Sequence, residues 1–365
     1  MKVVFTVTND LGYDQRMHRI CTTLSEHGHQ VILVGRELPD SKPLKERPFV
    51  QFRLRCHFRK GFPFYAEYNI RLFFFLLFLK KWDVVGTVDL DTMPAGYFAS
   101  LLRRKKRVYD AHEYFTEVPE VVDRKWVKHF WELVARLFIP RYQYAYTVGP
   151  SLAAIMSERY GISFGVVRNV PNVRASVIRS APQPPSVILY QGALNEGRGI
   201  EALLRAMALL DDKYRLLLVG EGDLSEKLRE LAQALDLKDK VQFMGYIEPA
   251  ELKNITSAAW LGVNLLENRG LSYYYSLANK FFDFVQAGVP VLTMNFPEYR
   301  DLNKAHEVAV LLETPEPGAI AAAVESLAND PSTYTRLREA CVRAAQEWNW
   351  ENESQKLLSI FNRVG

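Results

Sequence analysis

Short apolar runs rich in β-branched residues alternate with amphipathic stretches along the whole chain. The candidate strands are residues 2–8, 30–35, 52–57, 83–88, 107–110 and 145–148 in the first half, and residues 187–191, 215–220, 241–246, 261–266, 289–294 and 308–312 in the second. Between them, apolar residues such as Met17, Ile20 and Leu24 recur at helical spacing. This alternation is typical of parallel α/β units.

The alternation is interrupted once, between Pro171 and Ser186, by a segment rich in proline and other turn formers. A chain of 365 residues is also longer than one hydrophobic core usually fills. We therefore predict two doubly wound domains, residues 1–172 and 186–348. Such sheets bind ligands at the carboxyl ends of their strands, so the predicted site is a central cleft between two facing domains.

Composition and charge exclude several classes of protein. Hydrophobic residues make up 48% of the chain and charged residues 24%, as in ordinary globular proteins. A net charge of +4 is too small to indicate nucleic-acid binding. Three cysteines without metal-binding spacing indicate a reduced cytosolic protein, and the first residues lack a signal-peptide pattern. The longest apolar run, residues 72–79, is too short to cross a bilayer.

An aromatic segment at residues 62–82 is bracketed by basic residues. It predicts either a core helix that is apolar nearly all round or an interfacial helix that meets anionic lipid. The sequence leaves both interpretations open.

Two glycine-containing turns follow strands of the second half, at Gly192 to Gly199 and at Gly220 to Gly222. A nucleotide diphosphate needs backbone N–H groups at a helix N-terminus and a cation for its remaining charge. Arg198, between two glycines at the start of a helix, fits the role of that cation, and a solvated loop arginine is the alternative. The partial G-x-G at Gly220 is more typical of a structural turn than of a dinucleotide loop.

The segment 279–290 predicts a helix that ends at Gly288 and leads into a buried strand. Lys280 and Asp283 lie on one face of this helix because they are three residues apart. Asp283 is a candidate ligand of ribose hydroxyls and Lys280 of a phosphate. The alternative is an ordinary surface ion pair.

In the first half, Asp110, His112 and Glu113 follow the end of a strand, where α/β enzymes place reactive groups. His112 is a candidate partner of a sugar hydroxyl or a transferring group, with a structural histidine as the alternative. Asp89 and Asp91 form a D-x-D pattern that some sugar-transferring enzymes use to hold a divalent metal. We do not predict a metal here, because a hard cation usually needs more oxygen ligands.

The ordered segments resemble those of GT-B glycosyltransferases, in particular glycosyltransferase family 4, over essentially the whole chain. The matching segments are residues 109–113, 167–172, 192–199, 219–222, 243–246 and 279–290. The resemblance implies an α/β protein of GT-B fold with two Rossmann-like parallel-sheet domains. It also implies a final helix, at about residues 349–363, that packs back onto the first domain.

By position, the resemblance implies a donor site in the second domain and an acceptor site in the first. His112, Arg198 and Lys280 are the implied catalytic residues. The implied donor-binding residues are Asn169, Gly192, Gly220, Glu221, Gly245, Tyr246, Ser276, Asn279 and Asp283. The implied acceptor-side residues are Asp14, Arg16, Asp91 and Glu113. The chain departs from the family at Ala193, where arginine is common, and at Tyr275, where the first of two paired glutamates is common.

The resemblance implies a retaining transfer that needs neither metal nor cofactor. The donor would be a UDP- or GDP-linked sugar, and the acceptor a glycan or lipid-linked glycan of surface polysaccharide synthesis. The resemblance also suggests peripheral contact with an anionic membrane from the cytoplasmic side, and nucleic acid is not an expected partner. A sugar-nucleotide epimerase of the same fold and a non-catalytic glycan-binding protein are the alternatives.

Overall fold

The computed structural model describes residues 1–173 and 186–365, apart from the side chain of Glu120. It divides into two compact units, residues 1–169 with 353–365 and residues 170–352. The interdomain segment predicted from Pro171 to Ser186 lies largely outside the described residues, because residues 174–185 are not described.

The N-terminal unit is a parallel sheet covered by helices. Its strands are β1 (Lys2–Thr6), β2 (Gln30–Glu37), β3 (Val50–Arg55), β4 (Val84–Val88), β5 (Lys106–Ala111), β6 (Tyr144–Thr147) and β7 (Phe164–Val166). Its helices are α1 (Gln15–Glu26), α2 (Gly61–Phe78), α3 (Met93–Leu102), α4 (Pro119–Val122), α5 (Lys125–Phe138) and α6 (Pro150–Tyr160), with short 3-10 turns at Phe115–Glu117 and Ile139–Arg141.

The strand order of this sheet is β3-β2-β1-β4-β5-β6-β7, and the strands pair in parallel. The order reverses between β1 and β4, so the loops that follow these two strands diverge and leave a crevice at the carboxyl edge. The centre of the sheet is buried on both faces, as the five consecutive buried residues of β4 show.

The C-terminal unit repeats this architecture. Its strands are β8 (Ser186–Gln191), β9 (Tyr214–Val219), β10 (Val241–Gly245), β11 (Leu261–Asn264), β12 (Val291–Met294) and β13 (Ala309–Leu312). Its helices are α7 (Ile200–Leu209), α8 (Ser225–Ala234), α9 (Pro249–Ala258), α10 (Leu271–Tyr274), α11 (Asn279–Gln286), α12 (Pro297–Ala305), α13 (Pro317–Ala328) and α14 (Pro331–Glu347). The order β10-β9-β8-β11-β12-β13 reverses between β8 and β11.

The last helix, α15 (Trp350–Val364), belongs to the N-terminal unit from Glu353 onward. Within that unit the ring of Phe361 packs on Phe5 of β1 with 5.8 Å between centroids. The Glu353 carboxylate accepts a hydrogen bond from the backbone N–H of Arg168 at 2.9 Å. The last helix of the chain therefore packs against its first unit.

The two sheets confirm the predicted α/β class, and the differences from the sequence pattern are local. The predicted strand at residues 289–294 begins only at Val291, because α11 ends through Gly288 at a φ of 69° and Pro290 lacks an N–H for the ladder. Strand β7 is three residues long and was not predicted, since so short a run shows no alternation. Within the described ranges, no helix is long and apolar enough to cross a membrane.

Candidate functional site

The crevice of the N-terminal unit holds a buried chain of charged groups around Asp110, the fifth residue of β5. Asp110 is fully buried, and its Oδ1 accepts a hydrogen bond from Arg16 Nη2 at 2.9 Å. Its Oδ2 lies 3.1 Å from His112 Nε2. Arg16, in the first turn of α1, also donates to the carbonyl of Val167 at 3.0 Å. One buried carboxylate thus joins an arginine below it to a histidine at the end of the strand.

The charges of Asp110, Arg16 and His112 stabilise one another. Burial opposes ionisation of Asp110, but Arg16 and His112 outweigh it and lower the pKa of the carboxyl to about 2. Burial likewise opposes the charged form of His112, and the attraction and hydrogen bond of Asp110 outweigh it and raise its pKa to about 9. At neutral pH His112 is therefore an imidazolium, which binds anions rather than accepting protons.

Asp89 holds His112 from the other side. Its Oδ1 accepts the backbone N–H of His112 at 2.9 Å, and its Oδ2 lies 4.0 Å from Nδ1 of the ring. Asp89 has a φ of 52°, a conformation that L-residues seldom adopt and that turns the chain sharply at the end of β4. Burial, assisted by Glu113 and Asp91, raises the pKa of Asp89 well above its usual value.

The other predicted acceptor-side residues surround the same crevice. Asp14 caps α1 by accepting from the backbone N–H of Met17 at 2.9 Å. Asp91 is buried, accepts from Thr8 Oγ1 at 2.5 Å and has a pKa raised by burial to about 6. Glu113 is exposed. Arg16, by contrast, is only 3% exposed, so its side chain lies beneath the crevice and not at its surface.

Both carboxylates of the D-x-D pattern accept hydrogen bonds from protein groups. Asp91 accepts one from Thr8 Oγ1, and Asp89 accepts one from the backbone N–H of His112. Among residues 1–173 and 186–365, no group of three or more histidine, cysteine, aspartate or glutamate side chains has the arrangement to hold a metal ion.

The coupling between His112 and Asp110 predicts a specific pH dependence of stability. The pKa of His112 is about 9 in the folded protein, and its ordinary value is 6.5. The stabilisation from protonated His112 is therefore complete below pH 6.5 and is lost as pH rises through 9. We expect this loss to lower the free energy of unfolding by about 3 kcal/mol. The stabilisation that comes from the Asp110 carboxylate is present above pH ~4 and is lost as pH falls towards 2.

Urea unfolding of the wild type and of His112→Gln between pH 6 and 10 measures this effect. The free energies of the two proteins are expected to differ most near pH 6 and to converge near pH 10. Parallel curves across this range would show that Asp110 does not stabilise the protonated form of His112.

The C-terminal unit places its predicted residues at the switch point of the second sheet. Gly192 follows β8 with a φ of 126°, and a Cβ at this position would lie 3.4 Å from the Cε and Nζ atoms of Lys280. Lys280, the second residue of α11, therefore reaches across to the carboxyl end of β8. Its ammonium lies over the Tyr190 ring, 3.6 Å from the centroid.

A second cation, Arg198, lies in the turn before α7. Its guanidinium stacks over the Tyr273 ring at 4.8 Å from the centroid, and its buried Nε has no hydrogen-bond partner among the described residues. Burial and the charge of Arg198 together lower the pKa of Lys280 well below its usual value. In the described ranges, neither cation has a carboxylate within ion-pair distance. The surface ion pair between Lys280 and Asp283, one alternative from the sequence, is therefore absent.

The glycines of this unit let two strand-end loops approach each other closely. A Cβ on Gly220 would lie 2.0 Å from the carbonyl oxygen of Gly192, and one on Gly199 would lie 2.1 Å from that of Leu265. Gly199 has a φ of 68° and begins α7 without a side-chain cap. Because α7 follows β8, its N-terminus lies at the carboxyl edge of the sheet, where Gly192 also lies, and its first N–H groups are available to an anion.

The remaining donor-side residues lie on neighbouring elements of this unit. Asp283 accepts from Gln191 Nε2 at 3.3 Å, and Ser276 Oγ donates to the Tyr273 carbonyl at 2.9 Å. Tyr246 is 53% exposed beside Gly245. The other two are Asn279, exposed at the start of α11, and Glu221, whose carboxylate pairs with Arg229 at 2.8 Å.

Asn169, the one predicted donor residue at the end of the N-terminal unit, accepts a hydrogen bond from Arg19. The sequence prediction named Asp110 in a reactive strand-end segment but gave it no role, and it did not include Tyr190 and Tyr273. Asp110 stands in the same strand-end segment as His112, and that position was the available signal. Nothing in the local sequence indicated the rings of Tyr190 and Tyr273.

A family model matches each half of the chain. Residues 12–173 match the family model described as Glycosyltransferase Family 4, and residues 175–348 match that of Glycosyl transferases group 1. An uncharacterised glycosyltransferase of Methanocaldococcus jannaschii is 26% identical over 185 residues, which are 48% of this chain and 44% of that protein. The chain thus spans about half the length of the curated relatives it matches.

Solved structures share the whole fold. Sucrose-phosphate synthase from Thermosynechococcus elongatus superposes with a TM-score of 0.83 at 17% identity, over 100% of this chain and 99% of that one. The Anabaena protein HepE, solved in complex with UDP and glucose, gives a TM-score of 0.78 at 14% identity, over 99% of each chain. The chain therefore belongs to the glycosyltransferases of GT-B fold, with a family 4 domain followed by a group 1 domain.

Proposed function

We propose that the protein is a retaining, metal-independent glycosyltransferase that moves a sugar from a UDP- or GDP-linked donor to a glycan or lipid-linked acceptor. The observation that carries this proposal is the pair of cations Arg198 and Lys280. Both are held at the switch point of the C-terminal sheet, and neither has a carboxylate partner in the described residues. An arginine and a lysine that have no carboxylate partner, beside a helix N-terminus, form a site for a diphosphate.

The donor would bind along the carboxyl edge of this sheet. Arg198, Lys280 and the first N–H groups of α7 would hold the diphosphate, with Gly192 and Gly220 allowing its close approach to the backbone. Gly245 and Tyr246 would line the base, and Asp283 would accept from the ribose hydroxyls. Glu221, Ser276 and Asn279 would complete the donor pocket.

The proposed absence of a metal follows from the same charges. As the bond between the anomeric carbon and the phosphate oxygen breaks, negative charge develops on the diphosphate. Arg198 and Lys280 would stabilise that charge in place of a divalent cation. Nucleotide binding should then be insensitive to EDTA.

In the N-terminal unit, His112 would lie at the donor sugar with Asn169 near it. Because Asp110 keeps His112 charged, we assign it hydrogen-bond donation and charge stabilisation, not general base catalysis. Asp14, Asp91 and Glu113 would contact the acceptor, and buried Arg16 would act through Asp110. The acceptor hydroxyl would attack the anomeric carbon from the same face of the sugar from which the diphosphate departs. Its proton would pass to the departing phosphate oxygen.

The HepE structure supports a nucleotide donor, since that protein was solved with UDP and glucose on the same fold. We propose synthesis of a surface polysaccharide or lipid-linked glycan as the setting, with the protein on the cytoplasmic side of the membrane. The basic and aromatic N-terminal unit supports that setting.

Thermal denaturation with UDP, GDP and ADP, each with EDTA and with Mg²⁺, tests the proposal. A ligand that binds only the folded protein raises its stability by about 2.7 kcal/mol at a hundredfold excess over Kd. We expect one nucleotide to raise Tm equally in EDTA and in Mg²⁺. Stabilisation that requires Mg²⁺ would contradict the proposed diphosphate site, and the absence of any response would contradict a nucleotide donor.

The two alternatives predict different products. A sugar-nucleotide epimerase would convert the donor alone into an isomer, which NMR of the incubated nucleotide sugar detects. A non-catalytic binding protein would show no turnover, and His112→Ala would leave its ligand binding unchanged. We expect neither isomer formation nor tolerance of that substitution.

A further inference from the structure

Two tyrosine rings of the C-terminal unit lie against the two basic side chains of the candidate donor site. Lys280 Nζ is 3.6 Å from the centroid of the Tyr190 ring, and the guanidinium carbon of Arg198 is 4.8 Å from that of Tyr273. Both distances are within the range of a cation–π contact. Tyr190 is 1% exposed and Tyr273 is 7% exposed, so both rings are fixed parts of the unit.

The two contacts belong to one cluster of four side chains. Burial and the charge of Arg198 lower the pKa of Lys280. Burial raises the pKa of the Tyr190 hydroxyl, Arg198 opposes that rise, and Tyr273 adds to it. Each of the four groups therefore interacts with a member of the other pair. We call Tyr190, Lys280, Arg198 and Tyr273 the tyrosine–cation cluster.

The positive groups of the cluster need a support that leaves their charge available. Lys280 and Arg198 repel each other, because like charges interact strongly in a partly buried site. Among the residues that the structure describes, neither has a carboxylate at ion-pair distance. A carboxylate would hold them but would also neutralise them. An aromatic face attracts a cation and carries no net charge, so it can hold both groups and leave their charge to a ligand.

The Tyr190 ring is fixed by contacts that leave its face to Lys280. Its backbone lies in β8, where it pairs with Leu218 of β9. Its hydroxyl donates a hydrogen bond to the carbonyl of Ala193 at 2.7 Å. The hydroxyl therefore ties the ring to the turn after β8, and the ring face carries the lysine that comes from α11.

The Tyr273 ring is fixed against the turn that contains Arg198. Gly197 of this turn has a φ of 76°, and a Cβ there would lie 3.1 Å from Tyr273 Cε2. The absence of a side chain at Gly197 therefore lets the turn approach the ring closely. The backbone N–H of Glu267 donates to the Gly197 carbonyl at 2.9 Å. This bond joins the segment before Tyr273 to the same turn.

We propose that Tyr190 and Tyr273 are positioning residues of the donor site, which hold Lys280 and Arg198 side by side without neutralising them. The inference rests on the proposed function, because it gives the two rings a part in the same diphosphate site. Each ring acts through the basic side chain that it carries. Loss of a ring should therefore weaken binding of the diphosphate and leave the contribution of the base and ribose unchanged.

Isothermal titration of the full chain in EDTA, with UDP against uridine and with GDP against guanosine, tests this inference. The ratio of diphosphate affinity to nucleoside affinity reports the diphosphate site alone. We expect Tyr190→Leu to lower this ratio at least about tenfold, because a cation shielded from water loses its aromatic partner. Tyr190→Phe keeps the ring and loses only the hydrogen bond to Ala193, so its ratio should stay within about threefold of the wild type.

Tyr214→Leu is the matched control. Tyr214 is also 1% exposed, but it begins β9 and so lies at the opposite edge of the same sheet. This variant should lose stability in urea much as Tyr190→Leu does and should keep the wild-type ratio. If Tyr190→Leu does not fold, Tyr273→Leu tests the same inference from the short helix α10, with an expected fall of about tenfold.

The titrations separate failure of this inference from failure of the proposed function. If the wild type bound UDP no more tightly than uridine, and GDP no more tightly than guanosine, the donor site and this inference would both be overturned. If the wild type preferred a diphosphate and Tyr190→Leu and Tyr273→Leu kept that preference, only this inference would be overturned. The same holds if Tyr190→Phe fell as far as Tyr190→Leu, because the hydroxyl and not the ring would then be responsible.

Discussion

Arg198→Ala is expected to lower the rate of nucleoside diphosphate release from the donor by about a hundredfold to a thousandfold. The guanidinium is held over Tyr273, its Nε lacks a protein partner in the described part of the chain, and no carboxylate there neutralises it. Its charge is therefore available for the leaving group. The loss should fall on kcat, because the charge on the diphosphate grows as the bond breaks.

Arg205→Ala provides the control, since Arg205 is exposed on α7 only a few residues further along the chain. It should retain wild-type turnover, and both variants should unfold at the same urea concentration as the wild type within the error of the measurement. If Arg198→Ala kept near-normal turnover, the diphosphate would have to bind elsewhere. Lys280→Ala should lower kcat as well, because its ammonium lies beside the same Gly192.

Arg16→Met is expected to destabilise the protein by about 3 kcal/mol or more. Arg16 and Asp110 are 3% and 0% exposed, and removal of one partner leaves a buried carboxylate with only His112 to balance it. The methionine keeps most of the apolar length of arginine, so the loss reports charge more than a cavity. Urea denaturation at pH 7, with the midpoint and slope both fitted, gives the free energy.

The double variant Arg16→Met/Asp110→Asn removes the unbalanced charge and should be more stable than Arg16→Met alone. Arg136→Met, a substitution on the exposed side of α5, should change stability by no more than about 0.5 kcal/mol. If the two single losses of Arg16→Met and Asp110→Asn simply added in the double variant, the ion pair would make no contribution of its own.

The sequence could predict both sheets because each depends on local alternation of apolar and polar positions. The predicted strands at residues 30–35 and 107–110 correspond to β2 and β5 with ends displaced by one or two residues. Strand β7 could not be predicted, since three residues are held by pairing with β6 and not by their own pattern. The side of α2 that meets the sheet could not be assigned either, because a helix that is apolar nearly all round does not show it.

The site was predictable where it depends on position after a strand, and not where it depends on long-range pairing. His112 directly follows β5, and Arg198 lies in the turn between β8 and α7, so their place at a sheet edge could be inferred. The pairing of Arg16 with Asp110 joins residues that are 94 positions apart, and no local pattern encodes it. Tyr190 under Lys280 is similarly remote in sequence.

Isothermal titration of the stabilising nucleoside diphosphate in EDTA tests whether Arg198 and Lys280 form a diphosphate site without metal. The wild type and Arg198→Ala/Lys280→Ala would each be titrated with the diphosphate and with the corresponding nucleoside. We expect the diphosphate to bind the wild type much more tightly than the nucleoside does, and the double variant to lose this difference. Equal affinity of the double variant and the wild type for the diphosphate would contradict it.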